Sequence, residues 1–254
     1  MRYPDIDKYA WLDSPIHRLE PRIKILSFTV LIFSAVFVGN IPAALLALAV
    51  ALLILILSRL PVRFVLQRST PILVFVLPIL LLMPLTVPGT PIWSAGPVAF
   101  TEEGLSYAVL ITIRAVAAIV LVLTLLGTQR IEATLRALSL LRVPGVIVQM
   151  LFFTYRYIYV MMDEFLSIWS AMRAKGYTLR PNRYGLSIIG NLVGMLLVKS
   201  YERAERVYRG MVARGYCGKP ITVAPFSITA ADCFACLLLI GIAGGLQVYP
   251  LVAL

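Results

Sequence analysis

Apolar residues gather in five runs along the chain, at 25–38, 41–57, 71–87, 105–126 and 226–246. A helix that crosses the hydrocarbon core needs about 20 residues, within a range of roughly 17–25. The first run holds 14 residues and is the shortest. Gly39-Asn40-Ile41-Pro42 separates it from the second, since glycine and proline punctuate helices and asparagine favours turns. The third run carries Pro71, Pro78 and Pro84, so neighbouring elements must satisfy the backbone groups these prolines free. Between 128 and 219 the pattern changes. Thr128 is a candidate N-cap for a short helix through Ile131, Leu135, Leu138 and Leu141, which Pro144-Gly145 stops. Val148, Leu151, Phe152, Tyr155, Tyr159, Met162, Leu166 and Trp169 then recur at steps of three and four, predicting a helix over 146–175 that ends at Gly176. After Pro181-Asn182-Arg183 a second long helix is predicted over 186–214, ending at Gly215. At 1.5 Å per residue each long helix measures about 45 Å. The expected fold is all-α, a polytopic membrane protein with about five spans and two long helices outside them. Its parts are an N-terminal segment (1–24), a four-span part (25–127), the long-helix region (128–219), and a last span with its tail (220–254).

Composition fits this division, with 60% of residues hydrophobic, 14% charged and a mean hydropathy of +0.91. Soluble domains are nearer half apolar and a quarter charged. The net charge of +11 excludes an acidic tail protein and leaves nucleic acid or a membrane setting as reasons for the basic surface. Hydropathy favours the membrane. Five basic residues lie in 1–24, three in 58–70 and 14 in 130–219, whereas 39–40, 88–104 and the tail after 246 have none. The positive-inside rule then puts the N-terminus and 128–219 in the cytoplasm and the C-terminus outside. Fusing the first two runs would separate Arg59, Arg63 and Arg68 from the N-terminal cations, so five spans is the consistent count. The polar first 24 residues read as a cytoplasmic segment rather than a signal peptide.

Candidate chemistry is sparse. One histidine (His17) and three cysteines (Cys217, Cys233, Cys236) form no structural-zinc spacing, and no metal site is expected in this chain. Cys233 and Cys236 sit in an apolar run, where packing in a helix is weighed against redox or metal chemistry. A zinc protease needs His-Glu-x-x-His and a P-loop needs its glycine pattern, and neither occurs. Prenyl transfer would need clustered acids for Mg²⁺, and only Asp163-Glu164 are adjacent. An intramembrane enzyme is therefore a minor alternative. A self-contained carrier or channel is another, although polar residues inside the spans are few. Arg114 is a cation within the fourth span, with Asp232 near the start of the fifth as a conceivable partner; a structural role and a place on a transport path both stay open. Within the long-helix region Arg156 is expected to pair with Asp163-Glu164. The bases there are spread along amphipathic helices rather than gathered with stacking aromatics, which argues against nucleic acid.

The two long helices end alike. One closes Arg173-Ala174-Lys175-Gly176-Tyr177 and the other Val212-Ala213-Arg214-Gly215-Tyr216, 39 residues apart. Ordinary helix ending accounts for the cation and the glycine. It leaves the shared alanine and tyrosine unexplained, so docking to an acidic groove is the competing account.

The stretch RIEATLRALSLLRVPGVIVQMLFFTYRYIYVMMDEFLSIWSAMRAKGY (130–177) resembles the transmembrane T component of energy-coupling factor (ECF) transporters, closest to the cobalt-uptake permease branch CbiQ. IDKYAWLDSPIHRLEPRIK (6–24), LRVPG (141–145), TYRYIYVMMDE (154–164) and MVARGY (211–216) support the likeness, which covers nearly the whole chain. The resemblance implies a non-catalytic scaffold in a prokaryotic cell membrane, with long cytoplasmic coupling helices. Its implied partners are two ATP-binding-cassette ATPase subunits at the helix tips and a separate substrate-binding membrane subunit, with ATP and Mg on the ATPases and no cofactor on this chain. The cargo it implies is cobalt, with nickel or a vitamin such as biotin as alternatives. It carries the ATPase-coupling motifs over to Ala171, Arg173, Ala174, Lys175 and Gly176, and to Ala213, Arg214 and Gly215. Aligned on Gly-Tyr, Lys175 stands where the family pattern has arginine, while Arg173 lies two residues earlier, so both are candidates for the first motif.

Overall fold

A computed structural model describes residues 11–12, 14–95, 98–141, 143–178, 182–218 and 229–252. Arg2, Lys8, Arg142, Arg180 and Lys219, which enter the charge asymmetry, lie outside the described residues, as do the turn residue Pro181 and the first part of the fifth apolar run. Eight helices run α1 (Pro21–Phe37), α2 (Ile41–Leu57), α3 (Val62–Thr86), α4 (Glu102–Gly127), α5 (Ile131–Leu140), α6 (Gly145–Ala174), α7 (Arg183–Val212) and α8 (Ala230–Val252) among the described residues. The all-α polytopic architecture is present. One small addition was not foreseen: an antiparallel hairpin of β1 (Pro91–Ala95) and β2 (Val98–Thr101) between α3 and α4. Its strands are too short to leave a period-two signal in a stretch rich in proline and glycine.

The chain divides into two compact units. The first is a bundle of α1–α4, the hairpin, most of α5, and α8. In it α4 packs against α1, α2 and α3, and α1 also packs against α8. Ala43, Ala44, Ala47 and Ala51 form a fully buried small-residue stripe on α2, which brings backbones close where lipid supplies no hydrophobic drive between helices. Phe28 and Leu31 of α1 and Leu121 of α4 fill the space around them. Gly104 marks a close approach of backbone to backbone. A Cβ there would stand 2.7 Å from Pro84 Cα and 2.8 Å from Met83 O, both backbone atoms at the end of α3. Thr101 seals the same corner, since its hydroxyl donates to Val87 O at 2.8 Å and accepts from Gly104 N–H as the N-cap of α4. Between α1 and α8, Ser34 Oγ donates to Ala243 O at 2.6 Å and Gln247 Nε2 donates to Ser34 O at 3.0 Å.

The third expected run begins earlier than its apolar residues suggest. Arg63 and Arg68 are good helix formers and do not stop α3, which is one helix from Val62. Likewise α1 starts at Pro21, proline being favoured in the first helical turn. That draws Lys24, read from sequence as part of a solvated segment, into the bundle. It is 1% exposed, and its ammonium donates to Thr128 O, just past the C-terminal end of α4, where the helix dipole favours a cation.

The second unit holds α6 and α7. They run antiparallel, which three contacts along their length establish: Tyr216 with Gln149, Lys199 with Glu164, and Tyr177 with Gly185. Among the described residues four helices are long and apolar enough to cross a membrane, α4, α6, α7 and α8, and Ile41–Leu57 and Val76–Thr86 are shorter apolar helices. Two of these, α6 and α7, belong to the long-helix region expected outside the spans. The reason is local, because the charges of α7 crowd into its second half (Lys199, Glu202, Arg203, Glu205, Arg206, Arg209) and leave the first half apolar.

Candidate functional site

The candidate site is the pair of helix ends in the second unit, and the sequence builds both in the same way. Gly176 and Gly215 each hold φ at +81°, the left-handed conformation that glycine adopts without a Cβ clash. At the end of α6, Gly176 N–H bonds Arg173 O at 3.0 Å and Tyr177 N–H bonds Met172 O at 3.1 Å. At the end of α7, Gly215 N–H bonds Val212 O at 3.0 Å and Tyr216 N–H bonds Met211 O at 3.0 Å. Both are Schellman closures with the same residue types in the same places. The repeat therefore extends back to a shared methionine, Met-x-Ala-cation-Gly-Tyr, at 172–177 and 211–216. The burial pattern repeats too, with Met172, Tyr177, Met211 and Tyr216 half-buried and the residues between them exposed.

This equivalence fixes the structural frame of the first motif. Lys175 occupies the position of Arg214, one residue before the left-handed glycine, and Arg173 corresponds to Val212. Ala174 matches Ala213, and Ala171 lies on the last full turn of α6. Arg173, Lys175 and Arg214 are all exposed, and none enters an ion pair among the described residues. Because α6 and α7 are antiparallel, their C-terminal ends lie at opposite ends of the pair, so two cationic tips face apart across a length of about 45 Å.

The shared tyrosines, unexplained by helix capping, have a common job in the structure. Tyr216 O–H donates to Gln149 Oε1 at 2.7 Å, near the start of α6. Tyr177 O–H donates to Gly185 O at 3.2 Å, in the first turn of α7. Each tyrosine thus ties the end of its own helix to the beginning of the other. Tyr177 also meets the Trp169 ring edge-on at 6.2 Å, and Trp169 stacks on Phe165 at 6.1 Å. Between the helices lies an apolar groove of about 400 Å³, lined by Val146, Phe153 and Tyr157 of α6 and by Val207 and Met211 of α7. Gln149 was not a sequence candidate. Its only signal was a polar residue on the otherwise apolar first turns of α6.

Other expected pairings are not made. Glu164 pairs with Lys199 across the helices rather than with Arg156, which lies against the Tyr157 ring at 5.8 Å. Lys199 wins because the antiparallel register sets it level with Glu164, whereas Arg156 is two turns away on the same helix. Arg114 and Asp232 do not meet either. Asp232 is 6% exposed and accepts from Thr229 N–H and Glu20 N–H, each at 3.0 Å. Those donors sit at the starts of α8 and α1, so one carboxylate caps two helix N-termini, where the dipole favours an anion. Arg114 stands midway along α4 with its Nε buried and without a hydrogen-bond partner. His17 accepts or donates at 2.7 Å to the Ser14 hydroxyl, and Cys217, Cys233 and Cys236 are free. Among the described residues no three of His, Cys, Asp and Glu cluster as metal ligands would.

The chain is thus a polytopic helical membrane protein with two matched basic helix ends, and comparison with known proteins gives its family. The sequence model of the family described as CbiQ, cobalt transport protein, matches residues 13–223, and the chain belongs to that family. It is 30% identical over 225 residues to the energy-coupling factor transporter transmembrane protein EcfT of Streptococcus equi subsp. equi, covering 84% of this chain and 83% of that one. It is 31% identical over 225 residues to the EcfT of Lacticaseibacillus paracasei, covering 84% and 85%. An uncharacterized protein of Methanocaldococcus jannaschii is 25% identical over 219 residues, covering 84% and 75%.

Proposed function

We propose that this chain is the T component of an ECF-type importer, the scaffold that couples ATP hydrolysis on two partner ATPase subunits to movement of a separate substrate-binding membrane subunit. The observation that carries the reading is the pair of matched, unpaired cationic tips at opposite ends of α6 and α7. Two like tips facing apart suit two like sockets. An arginine offered on a rigid helix end can enter an acidic groove with bidentate geometry, and Lys175 offers the same charge without the fork. ATP and Mg²⁺ belong on the ATPase subunits in this scheme, and this chain holds no cofactor.

The helix pair lies along the cytoplasmic face rather than through the bilayer. Antiparallel register puts the charged half of α7 (Glu202, Arg203, Glu205, Arg206, Arg209) level with the apolar half of α6. A crossing that centred the apolar half of α6 would bring those charges to the same depth, at about 2.5–3.5 kcal/mol each for Asp-, Lys- and Arg-like groups. Lying in the interface lets each helix turn its apolar face to lipid or to a membrane partner. The charge asymmetry of the connections supports a cytoplasmic N-terminus and an external C-terminus.

Co²⁺ is the proposed cargo, on the family's description. A tagged chain purified gently from its own membrane should bring two ATPase copies and a second membrane subunit, identifiable by mass spectrometry. A vitamin-binding or nickel-binding subunit in that position would replace cobalt and leave the mechanism standing. Arg214→Ala should weaken ATPase association at least tenfold, as loss of an interface arginine anchor does, while the chain stays folded in the membrane. Recovery of the wild-type chain alone, or full association of the Arg214→Ala chain, would remove the tips from the mechanism.

A further inference from the structure

We propose that Tyr177 and Tyr216 are positioning residues that make the two basic tips one mechanical unit; the inference rests on the coupling role just proposed. The Schellman turn at each tip sends the chain back toward the helix pair instead of away from it. The tyrosine that follows can therefore reach the first turns of the opposite helix, and both tyrosines do so. The result is an internal two-fold arrangement: end of α6 to start of α7, end of α7 to start of α6.

Helix ends are the part of a helix most given to fraying, because their last carbonyls lack intrahelical partners. A partner pulling on Lys175 or Arg214 would otherwise unwind the last turn before it moved the helix. The tyrosine staple sets the load path differently. Displacement at the tip of α7 passes through Tyr216 to Gln149 and the start of α6, and displacement at the tip of α6 passes through Tyr177 to the start of α7. Two ATPase subunits acting at the two ends then drive one body. The two staples differ in kind. The Tyr216 contact is the shorter and joins two side chains, at 2.7 Å, whereas Tyr177 uses a backbone acceptor at 3.2 Å and keeps a ring contact with Trp169. Loss of the hydroxyl should hurt more at Tyr216.

The test uses the whole complex in proteoliposomes, with Co²⁺ as the probe solute. Tyr216→Phe should leave subunit assembly and ATP hydrolysis unchanged and lower Co²⁺ taken up per ATP by about three- to tenfold, the equilibrium weight of one neutral hydrogen bond. Gln149→Leu should reproduce the loss, Gln149→Glu should restore it by keeping an acceptor, and Tyr216→Phe with Gln149→Leu should be no worse than either alone. Tyr177→Phe should give a smaller loss. A second measurement does not depend on the cargo. Spin labels at Ser170→Cys and Gly210→Cys, with the native cysteines replaced, should give an inter-tip distance that broadens in Tyr216→Phe only with ATP bound; Gly210 has open space around its Cα. A merely structural tyrosine would broaden it with and without ATP. Equal uptake per ATP and equal distance widths in Tyr216→Phe and wild type would overturn the proposal. If Arg214→Ala is silent as well, the coupling role itself has failed; if Arg214→Ala is impaired and Tyr216→Phe is not, only the staple has.

Discussion

The bundle and the α6–α7 pair are built from the same kinds of residue, and both turn large apolar side chains outward. In the bundle Phe37 is 71% exposed and Leu237 76%, but the bundle also closes a core of its own. In the bundle the apolar faces of α1, α2, α4 and α8 close on one another around alanines that are wholly buried. In the helix pair Val148 and Leu192 are the large residues fully covered, while Leu186 is 71% exposed, Leu197 65% and Met150 62%. Covering one such side chain is worth about 1.5–3 kcal/mol, so the pair carries a large unspent drive toward lipid or a partner surface. The lesson is that the bundle is specified by packing within the chain. The pair is specified at its ends, by glycine caps and tyrosine staples, and its long faces await something else.

Alanine at a glycine separates the two kinds of specification, and the largest effect belongs to the bundle. Gly104→Ala must push a methyl against Pro84 Cα and Met83 O, backbone atoms that cannot swing aside. It should destabilise the purified chain by about 3 kcal/mol, read as a lowered unfolding midpoint in detergent. An unchanged midpoint would mean that the corner between α3 and α4 is not tightly packed. At Gly215 the limits are reversed. Space is open around its Cα, but φ is +81°, where a Cβ is unfavourable. Gly215→Ala should cost about 1 kcal/mol, appearing as faster amide exchange at 211–216 with little change in global unfolding. Global unfolding falling as far as in Gly104→Ala would show that the tips are part of a single cooperative core and dissolve the distinction.

The same division decides what could be read in the sequence. Residues 41–57 coincide with α2, and the predicted long helices at 146–175 and 186–214 fall within a few residues of α6 and α7, because apolar period and glycine stops are local signals. Charged residues misled at the edges, where Arg63, Arg68 and Lys24 proved to be helical. Cations and glycines at the tips were legible for the same local reason. Gln149 was not, since it lies 67 residues from Tyr216 and only the antiparallel register brings them together. For Asp232 the sequence offers Arg114 as a conceivable partner, because pairing is what a lone acid in a span suggests. Its place in the first turn of α8 puts backbone N–H groups closer than any arginine, and they claim both oxygens.

The smallest expected effect asks whether charge, rather than caps and staples, holds the pair together. Glu164–Lys199 is the one ion pair among the described residues that joins α6 to α7, the others on these helices being local i,i+4 pairs on α7. Its side chains are 26% and 42% exposed, so solvent screens it and side-chain ordering offsets much of the attraction. A double-mutant cycle with Glu164→Gln and Lys199→Met should give a coupling of about 0.5 kcal/mol at low salt, smaller still at 1 M salt, where the screening length falls to about 3 Å. A coupling of 2 kcal/mol that survives high salt would mean the pair is fastened at its middle. The tips would then be free to move about a fixed centre, each answering its own partner, and the matched tyrosines would need another explanation.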